Sequence, residues 1–176
     1  MGSTQFYLPD QKEIPYYEDT QKRSLKQLLI KMNNTICSLL AYACPNNSVR
    51  KFLHRCRGVH IGKDVYIGMF CFIDNLFPNY VFIEDGASVN AGTMILTHFN
   101  PMRKFAPIFQ AKVAPVLIKK DAIVSVRSTI LPGVEIGQSS IVSAGSVVEK
   151  SVPDFTLVKG NPAKKVTEYE ILLNHK

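Results

Sequence analysis

The 176-residue chain has only four cysteines, Cys37, Cys44, Cys56 and Cys71, with no CxxC pair among them, so neither a zinc finger nor a disulfide-stapled secreted fold is implied. Reduced thiols in a cytoplasmic protein are the expected state. An export signal is missing: the start carries Pro9, Asp10, Glu13, Pro15, Glu18 and Asp19 where a signal needs a basic head and an apolar run. Long apolar stretches are missing too, since the richest, Ile36 to Cys44, is about half the roughly 20 residues that cross a bilayer. Acidic residues number 14 against 21 Lys and Arg, and the resulting charge of +7 favours anionic partners without choosing among them. With 46% apolar residues the chain can bury the core of one domain, which excludes a disordered or fibrous polypeptide.

What is present divides at about residue 57. From Gln21 to Ala43, apolar residues fall at Leu25, Leu28, Leu29, Met32, Ile36, Leu39 and Leu40, the three-and-four spacing of one helix face, and Pro45 stops it. A second short segment, Val49 to Arg57, sets Phe52 and Leu53 among Arg50, Lys51, Arg55 and Arg57, and Gly58 ends it. Residues 1–57 therefore read as a helical segment. It either packs on the main domain with its basic face solvated or rests peripherally on a membrane, whose anchors have the same apolar stripe and basic face. The aromatic and basic interleaving of single-strand nucleic-acid binders is absent.

After Gly58 the period changes. Ile61, Ile67 and Ile73 are six apart; so are Ile83, Val89 and Ile95; then Ile118, Val124, Ile130, Ile136, Val142 and Val148 run without a slip. Six consecutive hits have chance odds on the order of 10⁻⁵, and a helical period cannot produce them. Four residues after most anchors the side chain is small or medium, as at Val65, Cys71, Ala87, Thr93, Ala122, Ser128, Val134, Ser140 and Ser146, and these positions are expected to point inward too. Turn-compatible pairs such as Lys63-Asp64, Pro132-Gly133 and Ala144-Gly145 lie between. The expected fold is mainly β, a stacked parallel β-helix over residues 58–166, followed by a tail at 167–176. Two interruptions break the register: Asn75-Leu76-Phe77-Pro78-Asn79, and a long excursion from about 99 to 115. Long insertions in a solenoid are more often functional than decorative, so the chemistry is expected beside them.

The stretch Ile95-Leu96-Thr97-His98 before the loop, Ile130 to Gly137 after it, and the tail Val158-Lys159-Gly160-Asn161-Pro162-Ala163-Lys164 resemble the left-handed β-helix acetyltransferases. Within them the chain is most similar to the galactoside, maltose and surface-polysaccharide O-acetyltransferase branch. The resemblance implies a left-handed solenoid, a homotrimer with sites between subunits, acetyl-CoA as donor and a saccharide acceptor. It implies His98 as general base on the acceptor hydroxyl, a role that a neutral imidazole fills near pH 7. The oxyanion donor maps to the main-chain N–H of Val126, where the side chain is immaterial. Ala144, Lys150, Gly160 and Lys164 map to the CoA site, the lysines serving as point charges toward phosphate. Asp74 and Asn75 are candidates for the acceptor side, although the family's sugar-binding Asn has no clean match here.

No metal is expected. A zinc carbonic anhydrase of this fold needs three clustered histidines, and besides His98 the chain has only His54, His60 and His175. About fifty helical residues cannot supply the α/β domain of a sugar-nucleotide uridylyltransferase. An antibiotic or amino-sugar N-acetyltransferase of the same solenoid, or a non-catalytic scaffold, stays open at this point. The expected activity is acetyl transfer to a sugar hydroxyl in a surface-polysaccharide or lipid-linked saccharide pathway, in the cytoplasm or at the inner membrane face.

Overall fold

A computed structural model describes residues 6–16 and 24–169. The chain enters through a two-residue strand, β1 (Lys12–Glu13), and two helices, α1 (Leu25–Ala43) and α2 (Asn47–Cys56). Ser24 caps α1 in a reciprocal box with Gln27, and Asn46 caps α2 by accepting from the Ser48 and Val49 N–H groups. Of the helix expected from Gln21, residues 21–23 lie outside the described residues, as do positions 170–176 of the tail, His175 among them.

From β2 (His60–Ile61) onward the chain winds in three-sided coils. One parallel sheet contains β2, β5 (Val81–Ile83), β10 (Val116–Ile118) and β13 (Glu135–Ile136). The second contains β3 (Tyr66–Ile67), β6 (Ser88–Val89), β11 (Ile123–Val124), β14 (Ile141–Val142) and β16 (Thr156–Gly160), with β17 (Ala163–Glu168) added antiparallel at its edge. The third contains β4 (Phe72–Ile73), β7 (Met94–Ile95), β12 (Thr129–Ile130) and β15 (Val147–Val148). All twelve hexad anchors are no more than 8% exposed, as are the nine small residues that follow them, so the six-residue period is the period of the core. Each fully buried Ile or Val removes enough apolar surface from water to contribute about 1.5–3 kcal/mol.

The register fixes where the interruptions go. In unbroken coils the paired anchors are 18 residues apart, as in Val124 with Val142 and Ile130 with Val148. Ile73 instead pairs with Ile95 and Ile95 with Ile130, so both insertions follow anchors of the third sheet. They are therefore stacked one coil apart at a single corner. The short one makes a 3₁₀ turn, Pro78–Tyr80; the long one is a hairpin of β8 (His98–Phe99) and β9 (Lys112–Val113), whose far edge pairs with β1.

The end of the solenoid is closed by arginines. A first coil leaves a row of main-chain carbonyls without a preceding coil, and each must find a donor. Across α2, Arg55 donates to the Ile61 and Gly62 carbonyls, Arg50 to Ile67 at 2.7 Å, and Arg57 to Ile73 and Asp74 at 2.6 Å each. One guanidinium thus serves each face. This corrects the expectation of a solvated or lipid-facing basic surface at Arg50 and Arg57, which are buried, while Arg55 stays exposed and still donates to the cap.

His54 is buried beneath this cap, its Nδ1 without a hydrogen-bond partner among the described residues. Burial first, then the charges of Arg57 and Arg50, push the imidazole down to about 3. Between pH 6.5 and 3 the unfolded chain then binds a proton that the folded chain refuses, so stability falls as pH falls through that window. At pH 5 the loss relative to pH 7 is about 2 kcal/mol, or roughly 4–8 °C in the thermal midpoint of a domain this size. Melting curves of the wild type between pH 7 and pH 5 should show that slope, and His54→Phe should flatten it.

Candidate functional site

His98 is the first residue of β8, held where the hairpin leaves the prism. Its Nδ1 lies 2.5 Å from Asp74 Oδ2, and the ring stands edge-on to Phe77 with centroids 5.6 Å apart. Asp74 comes directly after Ile73 in the preceding coil, and its N–H donates to the Ile95 carbonyl, so the ladder carries its side chain beside Thr97 and His98. Twenty-four residues of sequence separate the pair; one coil separates them in space.

The carboxylate is fully buried and both its oxygens are used. Oδ1 accepts from the Leu76 and Phe77 N–H groups at 2.8 and 3.2 Å, the local turn that shapes the short insertion. Oδ2 accepts from the Thr97 N–H and hydroxyl, both at 2.9 Å, and faces the imidazole. Burial alone would raise its pKa, but the hydrogen bond and charge of His98, with the Thr97 and Phe77 N–H groups, hold it down at about 2. Its stabilising effect is present above the ordinary carboxylate value and is lost only as pH falls toward 2, below most of the His54 window. An ionised carboxylate on Nδ1 keeps the proton on that nitrogen and leaves the lone pair on Nε2, the arrangement of a general base. The side chain of His98 is 23% exposed, so the imidazole is reachable from solvent.

The other residues marked by sequence divide between two corners. Asn75 sits beside Asp74, but its Oδ1 accepts from Arg57 and its carbonyl from Asn34, contacts that face the helical cap. Lys150, exposed just beyond β15, stacks on the histidine corner two coils further along. Val126, Ala144 and Gly160 stack on the corner between the second and third sheets, with Lys164 paired to Lys159 next to them. The Gly145 N–H donates to the Val126 carbonyl, fixing that turn. This corner needs a left-handed residue in each coil: Phe70, Gly92, Arg127 and Gly145 occupy the same turn position with φ between 56° and 72°. Gly is free of strain there, whereas Phe70 and Arg127 are held by the coils around them. An open cavity of about 730 Å³ runs along the corner, lined by Tyr42, Phe70, Phe72, Ala91, Gly92, Met94, Val126 and Arg127.

His98 and Val126 are therefore kept apart within one chain. An edge of about five residues lies between their corners, roughly 16 Å at the rise of a strand. The role of Asp74 toward His98 and the Arg57 contacts beneath it escaped the sequence reading. Counting anchors in threes would have found the first, because it puts both insertions at one corner. Among the described residues, no group of three His, Cys, Asp or Glu side chains is placed to hold a metal ion.

No family model matches the chain. In sequence it is similar to the Bacillus subtilis protein YvoF, provisionally named an acetyltransferase, with 29% identity over 76% of this chain and 74% of that one. In structure it is similar to a hexapeptide-repeat acetyltransferase from Vibrio cholerae solved with acetyl coenzyme A, at 23% identity and a TM-score of 0.67 over 82% of this chain and 90% of that one. A maltose O-acetyltransferase from Clostridium difficile matches with a TM-score of 0.66 and 18% identity over 82% and 89% of the two chains. The fold is that of these left-handed parallel β-helices.

Proposed function

We propose that this chain, whose sequence and fold both resemble the hexapeptide-repeat acetyltransferases, transfers the acetyl group of acetyl-CoA to a saccharide hydroxyl. The observation that carries the reading is the Asp74–His98 pair at the root of the hairpin, 2.5 Å apart and beside the two insertions. Asp74 holds the Nδ1–H, and His98 Nε2 takes the acceptor's proton as its oxygen attacks the thioester carbonyl. The new C–O bond forms while the negative charge on the carbonyl oxygen is met by the Val126 N–H. Collapse breaks the C–S bond, and the imidazolium returns the proton to the departing CoA thiolate.

The two corners call for a second copy. In a homotrimer the His98 corner of one copy faces the Val126, Ala144 and Gly160 corner of the next, and the CoA arm lies in the groove along it. The hairpin supports this reading, for among the described residues it leaves Ile108 74% exposed and Phe109, which packs on Phe99, 49% exposed. Lys150 and Lys164 supply charge to the phosphates. The similarity to a maltose O-acetyltransferase supports a sugar as acceptor. The setting proposed with it is polysaccharide or lipid-linked saccharide modification, in the cytoplasm or at the inner membrane face.

Thermal-shift titration tests the donor. Acetyl-CoA at a hundred times its Kd should stabilise the folded protein by about 2.7 kcal/mol, raising the midpoint by roughly 5–10 °C. Free CoA should act similarly, and Lys150→Ala with Lys164→Ala should weaken both. An unmoved midpoint at millimolar acetyl-CoA would contradict the reading.

A further inference from the structure

The apolar stripe of α1 is on the wrong side for a helix that packs on its own domain. At 100° per residue, Leu25, Leu28, Leu29, Met32, Ile36 and Leu39 share one face with Leu40, and each is between 47% and 73% exposed. The domain is met by the opposite face, where Asn34 and Ala41 are the buried residues and Asn34 donates to the Asn75 carbonyl. The helix therefore turns its hydrophobic side outward along about 28 Å. The stripe meets the groove at the helix's end, where Tyr42 lines it and packs edge-on against Phe70 with centroids 5.3 Å apart.

Charge selects the occupant. Residues 20–63 contain no Asp or Glu and nine Lys or Arg. Three of the nine, Arg50, Arg55 and Arg57, are used by the cap, while Lys26 and Lys31 are exposed on the two flanks of the stripe, where long side chains reach headgroups as the apolar face enters the lipid. A second copy laid on the same face about a two-fold axis would bring lysine to lysine with no carboxylate to answer them, and a trimer contact that covered the stripe would show as a change of mass when the stripe is altered. We infer that α1 docks the protein on an anionic lipid surface, parallel to the membrane plane, with the groove opening at that surface. The stripe does not span the bilayer: no helix among the described residues is long and apolar enough. This inference is independent of the acetyl-transfer reading, because its test contains neither acetyl-CoA nor an acceptor.

The full chain should co-sediment with phosphatidylcholine vesicles containing phosphatidylglycerol, much less with phosphatidylcholine alone, and less as salt is raised. Leu29→Glu with Ile36→Glu should reduce binding about a hundredfold or more. Both residues face outward, so the variant's thermal midpoint and oligomeric mass should match the wild type. Failure of the wild type to bind either vesicle would overturn the inference. A change of mass in the variant by light scattering would overturn it too, since a second copy would then be what covers the stripe.

Discussion

Asp74→Asn is expected to lower acetyl transfer by roughly 10²–10⁴-fold with little change in KM for acetyl-CoA, and to lower the melting temperature as well. The carboxylate presents acceptors in every direction: Leu76 and Phe77 N–H on one oxygen, Thr97 and His98 on the other. An amide keeps one acceptor and turns two hydrogens toward groups that are themselves donors. Whichever way it sits, at least one buried N–H group loses its partner, at about 1–3 kcal/mol. If the NH₂ end faces His98, the imidazole must take the tautomer with its lone pair on Nδ1, and Nε2 can no longer accept the proton. A purely structural role for Asp74 would lower the midpoint and leave the pH profile and kcat per folded molecule unchanged. Steady-state kinetics alongside melting curves separate the two.

Arg57→Met is expected to have the largest effect on stability. One guanidinium donates to the Ile73 and Asp74 carbonyls and the Asn75 side chain, and burial brings it down to about 10 against the attraction of Asp74, so it stays charged at neutral pH. Methionine fills similar space but supplies no donor. The two carbonyls at the open end of the solenoid are left buried and unsatisfied, at about 3–5 kcal/mol, or roughly 6–20 °C in the midpoint. Because one of those carbonyls belongs to Asp74, kcat should fall further than the folded fraction does. A variant with an unchanged midpoint would show that the cap holds without Arg57.

The solenoid was legible because a core ladder repeats with the coil. An inward Ile or Val every sixth residue is a one-dimensional image of three flat faces, and no other packing requires it. His98 was legible through its neighbours Leu96 and Thr97 and its place at the mouth of the loop. Asp74 was harder, because its position looks like an ordinary turn residue and is one: Oδ1 shapes the insertion while Oδ2 meets the histidine. Only the pairing of Ile73 with Ile95 joins the two roles. The arginines of α2 misled for a related reason. A basic amphipathic segment looks the same in sequence whether its guanidiniums face water or a row of carbonyls, and the orphan acceptors arise only once the first coil exists. The stripe of α1 was read correctly as a face, but periodicity does not say which side of a helix its own domain takes.

The central claim is that His98 takes the proton from a hydroxyl attacking acetyl-CoA. The most direct test measures CoA thiol release from acetyl-CoA with a panel of saccharide acceptors, together with the mass of the product, for the wild type and His98→Ala. The account predicts that the wild type yields a saccharide heavier by one acetyl group, and that His98→Ala is slower by roughly 10²–10⁴-fold while still stabilised by acetyl-CoA. Transfer by His98→Ala at the wild-type rate would contradict it.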